Sequence, residues 1–317
     1  MTDILITDTH FGIKQNSITW FNSQSNFIYE QLIPYIQTHK DIIRLIHLGD
    51  VFDSRSSISV LIAAKVKKIF TDLARVCGQV IVIGGNHDYY SPNSNEYNSI
   101  ELVLGDVPGI TLVTRDILID GDNMYVPWYE YDINTIEAKV KEFGIKNVFV
   151  HNDIVNGEIP MINARLFSGH IHSPLFRTRK GLYNLGSCYS IDFSDCNSER
   201  GFYELGEKDI KFIPNNYSIR FWRLFNEDIF KDHIMSQDDY IEMYISQSNM
   251  ATNDYATVID KYIKRYKNIW LIPQISSNNS IESIKFEGYD IEKVIEESIP
   301  DDLKDKFDKI KQYDKVF

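Results

Sequence analysis

Five short apolar runs in this chain each stop abruptly at residue types able to bind metal ions. Ile4 to Thr7 runs into Asp8-Thr9-His10, and Ile42 to Leu48 into Gly49-Asp50. Val80 to Ile83 runs into Gly84-Gly85-Asn86-His87-Asp88, Asn147 to Val150 into His151, and Arg165 to Phe167 into Ser168-Gly169-His170-Ile171-His172. Short apolar runs bounded by glycine read as buried strands. Between them, Trp20, Phe21, Phe27, Ile28, Leu32, Tyr35 and Ile36 recur at helical spacing, and a second helical stretch runs from about Ser59 to Cys77. Pro34 is expected to kink or interrupt the first helix. This alternation predicts an α/β layered domain with helices over the sheet faces. In open α/β sheets, ligands gather at strand carboxyl ends, on loops held by a rigid scaffold.

The pattern changes after Ser168. Leu182 to Leu185, Phe202 to Leu205 and Ile210 to Ile213 read as short strands of an antiparallel sheet closing the first domain. Pro214-Asn215-Asn216 marks a boundary. A strand (Ile241 to Ile245), a helix opening near Asn253, a strand (Ile269 to Ile272) and two charged helical stretches from about Asp290 to Tyr313 follow. The length of 317 residues fits one large domain and one smaller one.

Among the strand-end residues, Asp8, His10, Asp50, Asn86, His151, His170 and His172 supply two acids, one amide oxygen and four imidazoles. Such a mixed nitrogen and oxygen set suits Mn, Fe, Co or Zn, whereas Mg and Ca prefer oxygen alone. Two cations about 3.5–4 Å apart clamp a phosphoryl group and need a bridging anion, which a carboxylate provides. In D-x-H and H-x-H on a strand, alternate side chains share one side. Taken singly, a D-x-H is usually a turn, a G-D-x-x-D is often a helix cap, and His151 alone reads as a core or surface histidine. All five occur in order, each at a strand end, and that recurrence makes coincidence very improbable.

Composition narrows the partners. The net charge of −12 argues against a broad basic nucleic-acid face. It leaves room for a nuclease, because metal-binding carboxylates contribute to that count. No apolar run approaches the roughly 18 residues of a membrane span. The N-terminus lacks the basic start and apolar stretch of a signal peptide. Cys77, Cys188 and Cys196 form no C-x-x-C pair, so they read as small core residues in a reducing compartment. A soluble, unexported, cytoplasmic protein is expected.

The five blocks resemble the signature of the calcineurin-like metallophosphoesterase superfamily. Asp8-Thr9-His10-Phe11-Gly12 and Gly49-Asp50-Val51-Phe52-Asp53 are most similar to SbcD-type DNA double-strand-break repair nucleases and their phage recombination relatives. The likeness continues through Gly186-Ser187, Glu199-Arg200-Gly201-Phe202 and Phe212-Ile213-Pro214-Asn215-Asn216. Cys188 stands where the family usually has proline, and Phe11 where leucine is commoner. The resemblance implies an α/β, layered β-sandwich metallophosphoesterase core with flanking helices over residues 1–217. A small α+β capping or partner-binding domain would span residues 218–317.

Carried over by position, the resemblance implies one ion held by Asp8, His10, Asp50 and His172. A second would be held by Asp50, Asn86, His151 and His170, with Asp50 bridging. His87 would be the catalytic histidine and Asp53 its orienting partner, while the role of Asp88 stays open. The implied cofactors are two divalent metal ions, Mn2+ by preference. The implied substrate is DNA, and the implied partners are an SbcC-type coiled-coil ATPase and a second copy of this chain, paired through helices of the first domain. The amphipathic stretch with Ile291, Val294, Ile295, Leu303, Phe307 and Ile310 would either dock the ATPase or pack on its own domain. Lys14, Arg55, Arg177, Arg179 and Lys180 would meet DNA phosphates or be ordinary surface charges. Tyr89-Tyr90 and Trp128-Tyr129 would line the DNA path or the core. Two other readings remain: a phosphatase or small phosphodiesterase, and a catalytically silent scaffold for DNA ends. Protein phosphatases of this superfamily carry Arg and Glu where this chain has Ser54 and Asp88, and the full set of expected ligands with His87 weighs against a silent scaffold.

Overall fold

The computed structural model describes residues 2–154, 162–177 and 181–274. Two six-stranded sheets face one another. In the first, the strand order is Ile210–Pro214, Gly201–Leu205, Thr2–Ile6, Ile42–His47, Val80–Ile83, Ile110–Val113. The last four run parallel, and the Gly201–Leu205 and Ile210–Pro214 hairpin joins antiparallel beside Thr2–Ile6. In the second, the order is Leu175–Arg177, Leu182–Asn184, Arg165–Ser168, Asn147–Val150, Asn123–Val126, Leu118–Asp120. Its middle four strands are parallel and its two edges antiparallel.

The run Leu182 to Leu185 departs from expectation. Leu182–Asn184 belongs to the second sheet, parallel to Arg165–Ser168, and not with the Gly201 hairpin. Its Tyr183 ring stacks on Phe167 at 4.9 Å. Three residues carry too little periodicity to say which sheet they join.

Alternation along the strands sorts the core into layers. Ile4, Ile6, Leu45, Val80 and Val82 face outward, under the helices. Leu5, Ile46, Ile81 and Ile83 face inward, against Tyr125, Phe149 and Phe167 of the second sheet. Tyr125, Phe149, Phe167 and Tyr183 form a stacked row across that sheet, with centroids 5.1, 5.3 and 4.9 Å apart. Met124, Val126, Val148, Val150 and Leu166 face outward beneath Ile136 and Val140 of the helix Ile133–Phe143. Such two-sided burial is why parallel strands read as unbroken apolar runs.

The helix Val60–Cys77 begins where Ser59 Oγ accepts the Ile62 N–H and ends at Gly78, whose φ of 78° suits glycine. It buries Ile62, Val66, Ile69, Phe70 and Leu73 against the first sheet. Pro34 does not break the preceding helix. Ile18–Asn26 continues through π-helical turns at Phe27–Leu32 into Ile33–Thr38. Ile33 N–H reaches back five residues to Ile28, so the widened turn lies directly before the proline, whose missing N–H no longer leaves a regular ladder incomplete.

Beyond Pro214 the chain forms a third sheet of three parallel strands, Phe221–Phe225, Tyr240–Ser246 and Asn268–Gln274. The helix Asn253–Arg265 crosses between the last two and packs Ile259 on Ile241, Met243 and Ile245. The other face meets the first block: Trp20 stacks on Phe221 at 5.8 Å, and Tyr240 lies 5.9 Å from Trp20. No described helix is long and apolar enough to cross a membrane. The helical stretches expected from about Asp290 to Tyr313, with Ile291 to Ile310, and the side chains of Arg177, Arg179 and Lys180 lie outside the described residues.

Candidate metal centre

The five marked strands are all parallel members of their sheets, so their carboxyl ends come together at one pole of the sandwich. The turns there are sharp. Asp8, His10, Asp50 and His170 hold φ of 51°, 42°, 56° and 77°, in the left-handed region that non-glycine residues rarely occupy. Gly85 lets two turns touch, since a Cβ there would overlap the Asp50 amide and carboxylate.

Asp8 is fully buried. Its Oδ2 accepts the Thr7 hydroxyl at 2.6 Å and the His170 N–H at 3.2 Å. His10 Nε2 lies 3.8 Å from both Asp8 Oδ1 and Asp50 Oδ2, and 3.2 Å from His172 Nε2. His151 Nε2 lies 3.2 Å from Asp50 Oδ2 and 3.1 Å from Asn86 Oδ1. His170 Nδ1 is 2.8 Å from the same amide oxygen. The structure therefore brings all seven expected residues together. Asp8, His10 and His172 form one group able to hold a metal ion, Asp50, His151 and His170 form another, and His10, Asp53 and His87 form a third beside the first. Asp50 stands between the first two.

The electrostatics suit cations. Burial alone would raise the Asp8 carboxyl, but the His10 hydrogen bond and the His151 charge outweigh it and hold it at about 2. Asp50 is likewise held well below the usual carboxylate range, against burial, by the charge and hydrogen bond of His151. Burial disfavours a charged His151, yet Asp50 raises it to about 9. Two buried carboxylates demand positive charge, and two imidazole nitrogens face each other at 3.2 Å. His10 Nδ1 is buried without a hydrogen-bond partner. Divalent cations among these donors answer the buried carboxylates and the facing imidazole nitrogens. His151 Nδ1 sits 2.7 Å from the Leu48 carbonyl and so donates to it, which leaves Nε2 as the ligating atom.

His87 stands over the cluster, its ring edge-on to His10 at 5.0 Å. Its Nδ1 is 2.6 Å from the Asp53 carbonyl oxygen, to which it donates. The orienting contact from Asp53 is thus its backbone, and the Asp53 carboxylate turns instead to His10 Nδ1 at 3.6 Å. Asp88 is a brace. Fully buried, it accepts the backbone N–H groups of Gly85, Asp50 and Phe52 at 2.9, 3.0 and 3.2 Å, tying the second block to the third. Burial and the Asp50 charge push it up to about 7, while the Gly85 and Phe52 amides pull the other way.

Two supporting residues escaped the sequence reading. His47 is fully buried beneath the site, its Nε2 3.0 Å from the Thr9 hydroxyl and its Nδ1 accepting the Gly49 N–H at 3.2 Å. Burial drives its pKa down to about 3, so it stays neutral and holds the Asp50 turn. Its signal was available: a lone histidine ending an apolar run just before Leu48-Gly49-Asp50. Gln24 donates from its helix to the Thr9 carbonyl at 2.7 Å, and no local pattern marked it. Of the tyrosine pair, Tyr89 is core and bonds the Thr114 carbonyl, while Tyr90 is exposed. Lys14 lies over Trp20 and Arg55 over Trp128, each 5.8 Å from the ring centre. Cys77, Cys188 and Cys196 are free thiols.

Facing sheets with carboxylates and imidazoles gathered over parallel strand ends define the frame of a metal-dependent hydrolase. The family model for calcineurin-like phosphoesterase matches residues 1–174, more than half of the chain, and the chain belongs to that family. It is accordingly a metal-dependent phosphoester hydrolase of a family that typically binds two divalent ions. No curated protein sequence matches the chain.

Proposed function

We propose that this chain is the nuclease subunit of a DNA end-processing complex for recombination, repair or replication. Its substrate is a DNA phosphodiester, and it works with an SbcC-type ATPase. The observation that carries the choice of a diester is what stands at positions 54 and 88. The Ser54 hydroxyl is taken up by Ser57 at 3.3 Å, and Asp88 is buried among backbone amides. Neither provides a cationic clamp for the second negative charge of a phosphate monoester. A diester, with a single charge, makes no such demand.

In this reading Asp8, His10, Asp50 and His172 hold one ion and Asp50, Asn86, His151 and His170 the other, with Mn2+ suited to the donors. Bound there, the two ions supply acidity to water and positive charge to phosphoryl oxygens. His87 presents Nε2, because its Nδ1–H is committed to the Asp53 carbonyl. A proton on that Nε2 meets the phosphate as charge develops and passes to the departing sugar oxygen. Asp50 and Asp88 keep the His87 turn in place through backbone hydrogen bonds.

The acidic chain depends on its partner for basic DNA-binding surface. Val60, Leu61, Tyr97 and Leu102 expose apolar groups on and beside the helices Val60–Cys77 and Ser99–Leu104, which supports pairing of two copies there. Three free thiols suit a reducing cytoplasm.

The test is hydrolysis by the purified chain with Mn2+, with and without the ATPase. Linear double-stranded DNA, single-stranded DNA, nucleotides, a phosphate monoester and phosphopeptides are compared. Degradation of linear DNA, abolished by chelation, is expected. Metal-loaded protein that spares DNA, or that hydrolyses monoesters faster, overturns the proposal.

A further inference from the structure

We infer that Arg200, backed by Asp195, is a positioning residue that aims His172 at Asp8 and His10. This rests on the two-ion reading above and deepens it by naming what holds one of its less buried ligands.

His172 differs from its companions. Its side chain is 35% exposed, whereas those of His10 and His151 are at 3% and 0%. It lies beyond the strand Arg165–Ser168, in a stretch with no regular structure of its own. Its Nε2 nevertheless reaches within 3.2 Å of His10 Nε2 and 3.8 Å of Asp8 Oδ1. The restraint is on the backbone. Arg200 Nη1 donates to the His172 carbonyl, and the Ser187 N–H donates to the same oxygen at 3.0 Å. Asn184 Nδ2 donates to the carbonyls on either side, Ile171 at 2.7 Å and Ser173 at 2.8 Å. Three successive carbonyls are thereby fixed, and the middle one answers to a guanidinium.

That guanidinium is costly to keep. Arg200 is 5% exposed and its partner Asp195 3%, and burying an ion pair gains little by itself. Nη2 donates to Asp195 Oδ1 at 2.5 Å, but Nε is buried without a partner. A buried pair with a donor left over is poor stabilising design, so its retention calls for another explanation. The Arg200 fork meets two acceptors at once, a carboxylate and the His172 carbonyl. Lysine, a single point of charge, cannot reproduce that fork.

The other end of the pair is anchored. Asp195 Oδ2 accepts the Ile191 N–H at 2.8 Å. Two residues on, Asn197 is laced to the third sheet: its N–H donates to the Phe221 carbonyl at 3.0 Å and its Nδ2 to the Arg223 carbonyl at 2.9 Å. Its Oδ1 accepts the Arg223 N–H at 3.1 Å. Phe193 packs edge-on against Phe221 at 4.9 Å. Arg200 thus holds the His172 carbonyl from the base of the strand Gly201–Leu205, while its carboxylate partner sits on a loop tied to the third sheet.

The experiment is metal titration of the full chain, with Co2+ followed by visible absorption and Mn2+ by calorimetry, beside hydrolysis of a phosphodiester. Wild type is expected to take two ions. Arg200→Lys should bind one as wild type does and the other about tenfold or more weakly, with kcat reduced and KM unchanged. His172→Ala should show the same selective loss. The double variant should be no worse than His172→Ala alone, because Arg200 acts through His172. Should Arg200→Lys fail to fold, Asp195→Asn carries the same comparison. Wild-type binding of both ions in these variants, or additive losses in the double variant, overturns the inference. Fewer than two ions on wild type would sink the two-ion reading itself. Two ions without DNA cleavage would sink only the choice of DNA.

Discussion

The His87 backbone N–H donates to Asp50 Oδ1 at 2.8 Å, while the other oxygen of that carboxylate lies 3.2 Å from His151 Nε2. One buried side chain thus sets the turn that carries His87 and faces both groups of candidate ligands. Ligand geometry and the placing of His87 are not independent features of this site.

Asp50→Asn preserves an acceptor for the His87 amide and removes the charge. The variant should fold, lose at least one bound ion by elemental analysis, and hydrolyse phosphodiesters at least about 100-fold more slowly. Wild-type metal content in this variant would show that Asp50 is no ligand.

His87→Ala leaves in place all seven residues assigned to the two ions. Its metal content should match wild type while kcat falls by about 10²–10⁴-fold and KM changes little. A loss of metal equal to the loss of rate would place His87 among the ligands.

In the metal-free protein, the stability contributed by His151 should be lost between about pH 6.5 and 9. His151, raised to about 9 by Asp50 against its burial, binds a proton in the native state that the unfolded chain has lost above its ordinary value of 6.5. Its contribution is complete below pH 6.5 and disappears as pH rises through 9. His47, lowered to about 3 by burial, acts in the opposite direction, because below pH 6.5 the unfolded chain takes a proton that the native state refuses. Urea melts at pH 5, 6.5 and 9 in the presence of chelator measure both arms. A midpoint that rises steadily from pH 6.5 to 9 would contradict the His151 assignment.

Gly85→Ala should destabilise the fold by about 1–3 kcal/mol, since the new methyl overlaps the Asp50 amide and carboxylate. Metal affinity should fall as well, because relief of the clash moves Asp50. Denaturant unfolding with and without Mn2+ separates the two effects.

Much of this was legible from strand endings alone. Asp8, Asp50, Asn86, His151 and His170 each follow a short, mostly apolar run of the kind a buried strand carries. Parallel pairing then brings their ends to one pole. What escaped depended on contacts between distant segments or on backbone atoms. Leu182–Asn184 pairs with the second sheet through a three-residue register. Pro34 is absorbed by a π-helical turn that no residue type announces. Asp53 meets His87 with its carbonyl, and Arg200 meets the carbonyl of His172, so the side-chain pattern held no record of either contact. His47 was visible but had no neighbour at ligand spacing to mark it.

Asp8, Asp50 and Asn86 close strands of one sheet, whereas His151 and His170 close strands of the other. Neither sheet alone carries either candidate set in full. A nascent chain whose halves have not yet met would be blind to metal, and ion uptake would report that the sandwich has closed. Once seated, each cation would act as a rivet across the seam, so that the cell's supply of free metal would govern how long the enzyme lasts as well as how fast it works.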